Sequence, residues 1–293
     1  MIRRRPRASL PMAASVATVL VVSAASAVVQ AQQPTFTSPT EVVRVDVEVT
    51  RNGRPVEGLT AADFEVFDNG ARQTVEIVAP GSVPLAVVLA LDTSGSLRPA
   101  QRAALQAACA RVAAQMKDGD RVALLTFHHR VTLRMPFGGA FTRLAASLER
   151  LDEGGDTSLI DAAHAAALLT MQERGRPVVI IFSDGVDTAS FLTADAAMDT
   201  ARRSGASVYL VTTVGGGAVT PDDLPERTGG ELIREPDVDR LAARFGTILD
   251  GFRRRYLLSF TPAGPRATGW HALTVKVRGW GRVRARPGYW APE

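Results

Sequence analysis

Apolar runs of strand length recur through the middle of this chain, separated by stretches with helical spacing. The strands predicted are 84–91, 121–128, 131–136, 177–183, 207–214 and 231–234. Several are apolar at every position, as expected of strands buried on both faces of a parallel sheet. Between them the spacing predicts helices over 98–117, stopped by Asp118-Gly119, and over 141–150. Another runs from Ser158 to Glu173, and a further one spans 193–204 with Gly205 at its end. The last covers 238–253, with Leu241, Phe245, Ile248, Leu249 and Phe252 on one face. Strand alternating with helix predicts an α/β fold: a doubly wound, mostly parallel sheet with helices on both faces. The tight turn at His128-His129-Arg130 predicts a hairpin, and so one antiparallel edge strand.

The flanks have period two. Val43, Val45, Val47 and Val49 alternate with Arg44, Asp46 and Glu48. Asn52-Gly53 and Asn69-Gly70 are turn signals, and a strand is expected over Thr74–Val78. Near the other end, Tyr256–Phe260, Trp270–Val277 and Arg282–Arg286 read as strands. Each flank is too short to bury a core alone. Their charges are opposite: residues 32–80 carry four arginines and eight acids, residues 251–293 nine basic residues and one acid. The expectation is that the two flanks pair into a small β-sandwich-like domain with the α/β domain inserted. The domains are then 32–82, 83–252 and 253–293, after a leader of residues 1–31.

That leader has a basic start, Arg3-Arg4-Arg5-Pro6-Arg7, an apolar run from Met12 to Val29, and small residues at Val29-Gln30-Ala31. It reads as a secretory signal. An uncleaved anchor is the competing reading, because the run approaches bilayer-spanning length. A secreted or periplasmic protein is expected, with no membrane span once the signal is removed. The pI of 9.8 changes meaning with the leader. Taking its four arginines from the 34 basic residues leaves 30, equal to the 30 acids. Net charge therefore gives no argument for a nucleic-acid partner. The one cysteine, Cys109, lies on an apolar stripe with Leu105, Ala108, Val112 and Met116. It can form no internal disulfide, and it reads as a buried thiol.

The candidate chemistry sits at strand ends, where α/β sheets bind ligands. The first strand of the α/β region ends in Asp92-Thr93-Ser94-Gly95-Ser96. Asp92, Ser94 and Ser96 offer a carboxylate and two hydroxyls at alternate positions; they suit a hard cation, or they simply cap the next helix. Thr157 lies in the loop Gly154-Gly155-Asp156-Thr157-Ser158, and a second buried strand ends in Ser183-Asp184-Gly185. Together the three segments resemble the von Willebrand factor type A (VWFA) domain. The resemblance covers about residues 83–252 and implies its Rossmann-like fold. Its metal-ion-dependent adhesion site would comprise Asp92, Ser94, Ser96, Thr157 and Asp184. None of the five is His or Cys, which disfavours zinc and copper; such oxygen ligands suit Mg²⁺, with Mn²⁺ able to substitute. The resemblance further implies a partner protein that offers an acidic side chain to the metal. It marks Asp161 as a loop-bracing or helix-start residue.

Asp156 and Asp187 read as solvated loop acids. Enzyme motifs are missing: there is no Gly-x-Ser-x-Gly elbow around Ser94 and no Gly-x-x-x-x-Gly-Lys phosphate loop. Gly215-Gly216-Gly217 reads as a flexible loop. His128, His129, His164 and His271 show no helical metal spacing. The function expected is a non-enzymatic, exported, metal-dependent interaction or adhesion module. A metal-assisted hydrolase at the same crevice and a scaffold stiffened by its metal are the alternatives.

Overall fold

The computed structural model describes residues 42–79, 81–95, 99–149, 154–183, 186–213, 223–263, 267–279 and 281–291. The leader, Ser96, Asp184 and the triple glycine lie outside them. The chain first forms β1 (Val43–Arg51), β2 (Arg54–Pro55), β3 (Phe64–Asp68), β4 (Ala71–Gln73) and β5 (Glu76–Val78). Then come β6 (Leu85–Asp92), α1 (Pro99–Gln115), β7 (Arg121–Phe127), β8 (Val131–Met135), α2 (Leu159–Thr170) and β9 (Arg176–Phe182). These are followed by α3 (Ala194–Ser204), β10 (Ser207–Thr212), α4 (Leu224–Arg227), β11 (Glu231–Arg234) and α5 (Leu241–Arg253). It closes with β12 (Tyr256–Phe260), β13 (Gly269–Val277), β14 (Arg282–Arg284) and β15 (Gly288–Ala291).

Six strands form the central sheet in the order β11-β10-β9-β6-β7-β8. Every neighbouring pair is parallel except β7–β8, the hairpin through His128–Arg130. β6 sits inside, and all eight of its residues are buried. Successive side chains point to opposite faces. Leu85, Val87, Leu89 and Leu91 therefore join the core beneath α1 and α5. Val88 and Ala90 face α2, whose Ala162, Ala163, Ala166 and Ala167 form a small-residue stripe that lies close on the sheet. The α1–α5 side is filled by bulk: Phe245 and Phe252 of α5 are wholly buried, each adding roughly 1.5–3 kcal/mol.

Two expectations within the α/β region need correction. The helix over 141–150 is two 3₁₀ turns, Phe141–Arg143 and Ala146–Leu148. Among its described residues Leu144 and Leu148 are the only buried anchors, and the Ser147 hydroxyl bonds the Arg143 carbonyl, so a full α-helix does not propagate. The last helix opens as a 3₁₀ turn, Val238–Arg240, where the Asp237 carboxylate accepts the Asp239 N–H.

The flanking strands pair across the length of the chain. β1 lies antiparallel to β12 and β14, β12 to β5, and β3 to β13. The two resulting sheets share one core, in which Val43, Val45, Val47 and Val49 of β1 meet Phe64, Leu258, Phe260 and Tyr289. The expected strand over Thr74–Val78 is shorter, β5 at Glu76–Val78, with Thr74-Val75 parting it from β4. β15, which the period did not reveal, pairs with β13.

Arg176, the first residue of β9, joins these β layers to the central sheet. Its guanidinium meets Asp46 of β1 at 2.5 Å, donates to the Phe252 carbonyl at the end of α5, and lies over the Phe252 ring. Both charges are largely out of water, so removing one leaves the other uncompensated. Arg176→Ala is expected to lower stability by about 3–5 kcal/mol, read from the urea midpoint. Cys109 is fully buried on α1, and burial pushes its thiol up to about 12. Its thiolate is then scarce at neutral pH, and a disulfide reagent should label it only at the rate of unfolding.

Candidate functional site

The carboxyl ends of β6 and β9 bring the site together. Asp92, the last residue of β6, is buried. Its Oδ1 accepts the Ser94 N–H at 2.8 Å, and its Oδ2 accepts the Ser183 hydroxyl at 2.6 Å. Ser183 directly follows β9, so the two neighbouring strands are tied at their tips. Thr157, from the loop before α2, donates its hydroxyl to the Ser94 hydroxyl oxygen at 2.7 Å. Three of the five expected ligands, Asp92, Ser94 and Thr157, thus converge from two separate loops. Ser96 and Asp184 lie outside the described residues.

Backbone rungs hold those loops in place. Gly95 N–H donates to the Gly155 carbonyl at 3.2 Å, and Gly154 N–H reaches the Thr93 carbonyl at 3.4 Å. Gly155 has φ +79°, which disfavours a side chain, and a Cβ there would stand 2.6 Å from Nδ1 of His129, which would have to shift. Thr93 is anchored in turn, through its N–H and hydroxyl, to the Phe127 carbonyl. The His128 carbonyl accepts both the N–H and the hydroxyl of Ser158. The two histidines face one another, Nδ1 to Nδ1 at 2.8 Å. They brace the loop by backbone and packing.

A second layer holds Thr157 from the far side. Its N–H donates to the Thr188 hydroxyl, and its carbonyl accepts the N–H groups of Thr188 and Ala189. Ser158, at the start of α2, spends its hydroxyl on His128, so the first helical N–H groups find acceptors elsewhere. Asp187 Oδ1 accepts the Ile160 N–H at 3.1 Å, and the Ser190 hydroxyl oxygen accepts that of Asp161. The expectation that Asp187 is a solvated loop acid is therefore corrected: it caps a helix N-terminus, where negative charge is favoured. Asp161 returns the contact, accepting the N–H groups of Phe191 and Leu192 at 3.0 and 2.9 Å. Asp156 is exposed. Beyond the braced turn, the Phe191 side chain is 94% exposed.

Three polar residues here were not singled out as site residues by the sequence reading: Ser183, Thr188 and Ser190. Ser183 had a signal, since a small hydroxyl residue next to a strand-end acid faces the same crevice. The Asp-x-x-Ser of Asp187–Ser190 is the pattern of a side-chain-closed turn.

Every donor brought together is oxygen, which fits a hard divalent ion. Among the described residues no three His, Cys, Asp or Glu side chains gather as a metal cluster. The gathered set is instead rich in hydroxyls.

The family model of the von Willebrand factor type A domain matches residues 87–186, which run from β6 through the Thr157 loop to the end of β9. The chain carries a von Willebrand factor type A domain. Solved structures agree at the level of fold. A von Willebrand factor type A structure from Catenulispora acidiphila superposes with a TM-score of 0.52 at 13% identity, covering 88% of this chain and 76% of that one. Proximal thread matrix protein 1 from the mussel byssus, with a zinc-occupied MIDAS motif, gives 0.53 at 14%, covering 63% and 49%. The chain thus spans about half the length of the mussel protein. No curated protein matches.

Replacing Asp161 by Ala removes two acceptors from the loop beside the type A domain's Thr157. The expected loss is about 1–2 kcal/mol, with faster hydrogen exchange at the Phe191 and Leu192 amides than elsewhere in the domain.

Proposed function

We propose that this protein is an exported, non-enzymatic interaction module. In this reading it holds a divalent cation at the carboxyl end of β6 and presents it to an acidic side chain of a partner protein. The observation that carries the reading is the 2.7 Å contact between the Thr157 and Ser94 hydroxyls beside the Asp92 carboxylate. Asp92, Ser94 and Thr157, with Ser96 and Asp184, would hold the ion. Mg²⁺ or Mn²⁺ suits that set. A bound ion neutralised by only two carboxylates supplies Lewis acidity toward a further carboxylate. The chain's own residues do the positioning: Ser183 fixes one Asp92 oxygen, while Asp187 and Asp161 hold the loop behind Thr157. Phe191, tied through its backbone to Asp161 yet exposed, offers an apolar contact to a partner, as interface anchors do.

The architecture follows the same reading. The six-stranded sheet with its helices is a doubly wound type A domain over residues 83–252, inserted into a small β-sandwich built from the two flanks. Strand pairing between flanks and their shared core support this. So does the Catenulispora likeness, whose 88% coverage extends well beyond the matched residues 87–186. The basic and apolar character of residues 1–31 supports export to the periplasm or beyond. No helix among the described residues is long and apolar enough to cross a membrane.

Calorimetric titration with Mg²⁺, Mn²⁺ and Zn²⁺ tests the reading; zinc belongs in the set because the mussel protein's motif holds it. One saturable site is expected in the native chain and none in Asp92→Ala/Asp184→Ala. Metal binding that survives in the double variant, or no binding by either protein, would sink the proposal.

A further inference from the structure

The amino ends of the parallel strands lie at the opposite end of the sheet from Asp92. There a cavity of about 300 Å³ opens between the central sheet and the flanking strands. β1 contributes Arg44 to its wall, the ends of α2 and α3 contribute Met171 and Arg203, the connection between β14 and β15 contributes Arg286, and β15 contributes Trp290. The two acids of the wall are already paired, Asp46 with Arg176 and Glu173 with Arg121. Three guanidiniums are not. Among the described residues Arg44, Arg203 and Arg286 have no carboxylate at ion-pair distance.

Arg286 is the most exacting of the three. Its Nη2 donates to the Arg44 carbonyl at 2.7 Å, while its Nε is shut off from solvent with no hydrogen-bond partner. Burial holds the guanidinium below the usual arginine range. Asp46, engaged by Arg176, compensates that burial only in part, and an anion from outside offsets the remaining cost. Arg203 lies over the Trp290 ring at 3.6 Å, which orients it toward the same space. The negative end of α3 accounts for a cation at Arg203. It also reaches Arg286, whose Nη1 lies beside Gly205 at the end of α3, but not Arg44 of β1. The rim is apolar: Val42, Met171 and Trp290 are exposed large hydrophobics that line the cavity. Guanidiniums bind carboxylate and phosphate through paired N–H donors, and small-molecule sites of this size favour junctions between structural layers.

We propose that this cavity binds a small organic anion, a carboxylate or phosphate monoester with an apolar arm. Its acidic group is held by Arg44, Arg203 and Arg286, and its arm rests on Met171 and Trp290. The site is separate from the metal-binding end of the domain, and neither needs the other.

Calorimetry on the full chain tests this with four probes, followed in parallel by tryptophan fluorescence. Phenyl phosphate and phenylacetate carry both arm and charge; phenethylamine reverses the charge; inorganic phosphate lacks the arm. Both organic anions should bind saturably at one site, phenethylamine should not, and inorganic phosphate should bind about tenfold more weakly. The tighter of the two organic anions identifies the natural acid group. Arg286→Gln and, independently, the exposed-position variant Arg203→Glu should each weaken binding about tenfold or more. Asp92→Ala should leave it unchanged. Equal binding of phenethylamine, no binding of either organic anion at millimolar concentration, or unaltered affinity in a folded Arg203→Glu protein would overturn the proposal.

Discussion

The ion pair of Arg176 with Asp46 is the constraint on which the rest of the arrangement depends. An arginine opening a buried parallel strand has no water to turn to, so it must find acceptors within the protein. It finds them in a β1 carboxylate and in carbonyls at the end of α5. One side chain therefore sets how the flanking sheets, the last helix and the central sheet meet. Arg253 with Asp120 and Arg255 with Glu48 repeat the device nearby. The basic C-terminal flank and the acidic N-terminal flank also meet in specific pairs, Arg255 and Arg284 with Glu48 and Arg278 with Glu65.

β9 connects that junction to the functional end. It begins at Arg176 and is followed at once by Ser183, whose hydroxyl holds Asp92. The site is assembled from three segments far apart in sequence, and each is locked before any ligand arrives. Hydroxyl and backbone groups do most of this work: Thr93 on Phe127, Ser158 on His128, Thr188 on Thr157. Such neutral, short-range bonds position oxygens without adding charge, which leaves this end of the sheet with few carboxylates. Preorganisation of this kind lowers what binding must spend on ordering loops.

Much of this was legible in the chain. β6 announced itself because burial on both faces demands an unbroken apolar run, and its terminal Asp92-x-Ser94 marked the crevice. Thr157 could be paired with it only by resemblance, since nothing local says that residues 63 positions apart share a hydrogen bond. Asp187 was misread because its partner, the start of α2, precedes it by a whole helix and a strand; a carboxylate in a polar turn looks solvated until the fold closes. The segment 141–149 failed for a different reason. Its helical spacing was real, but a serine competing for the backbone and two anchors were too little to propagate an α-helix. β15, with Gly288 and two aromatics, has too short a period to be seen without β13 beside it.

The central sheet is entered from β5 and left into β12, and those two strands are hydrogen-bonded neighbours, Val78 opposite Leu257. β12 in turn runs against β1 with Val43 opposite Phe260 and Val47 opposite Tyr256. The chain leading into β1 and the α/β region leading into β12 are therefore attached at opposite ends of one antiparallel ladder. Tension between the N-terminal side and the Asp92 end of the central sheet, if directed along these strands, pulls the ladder in shear. Its five paired positions then bear the load together instead of peeling one after another. The strand order that closes the small core also makes a load-bearing clamp.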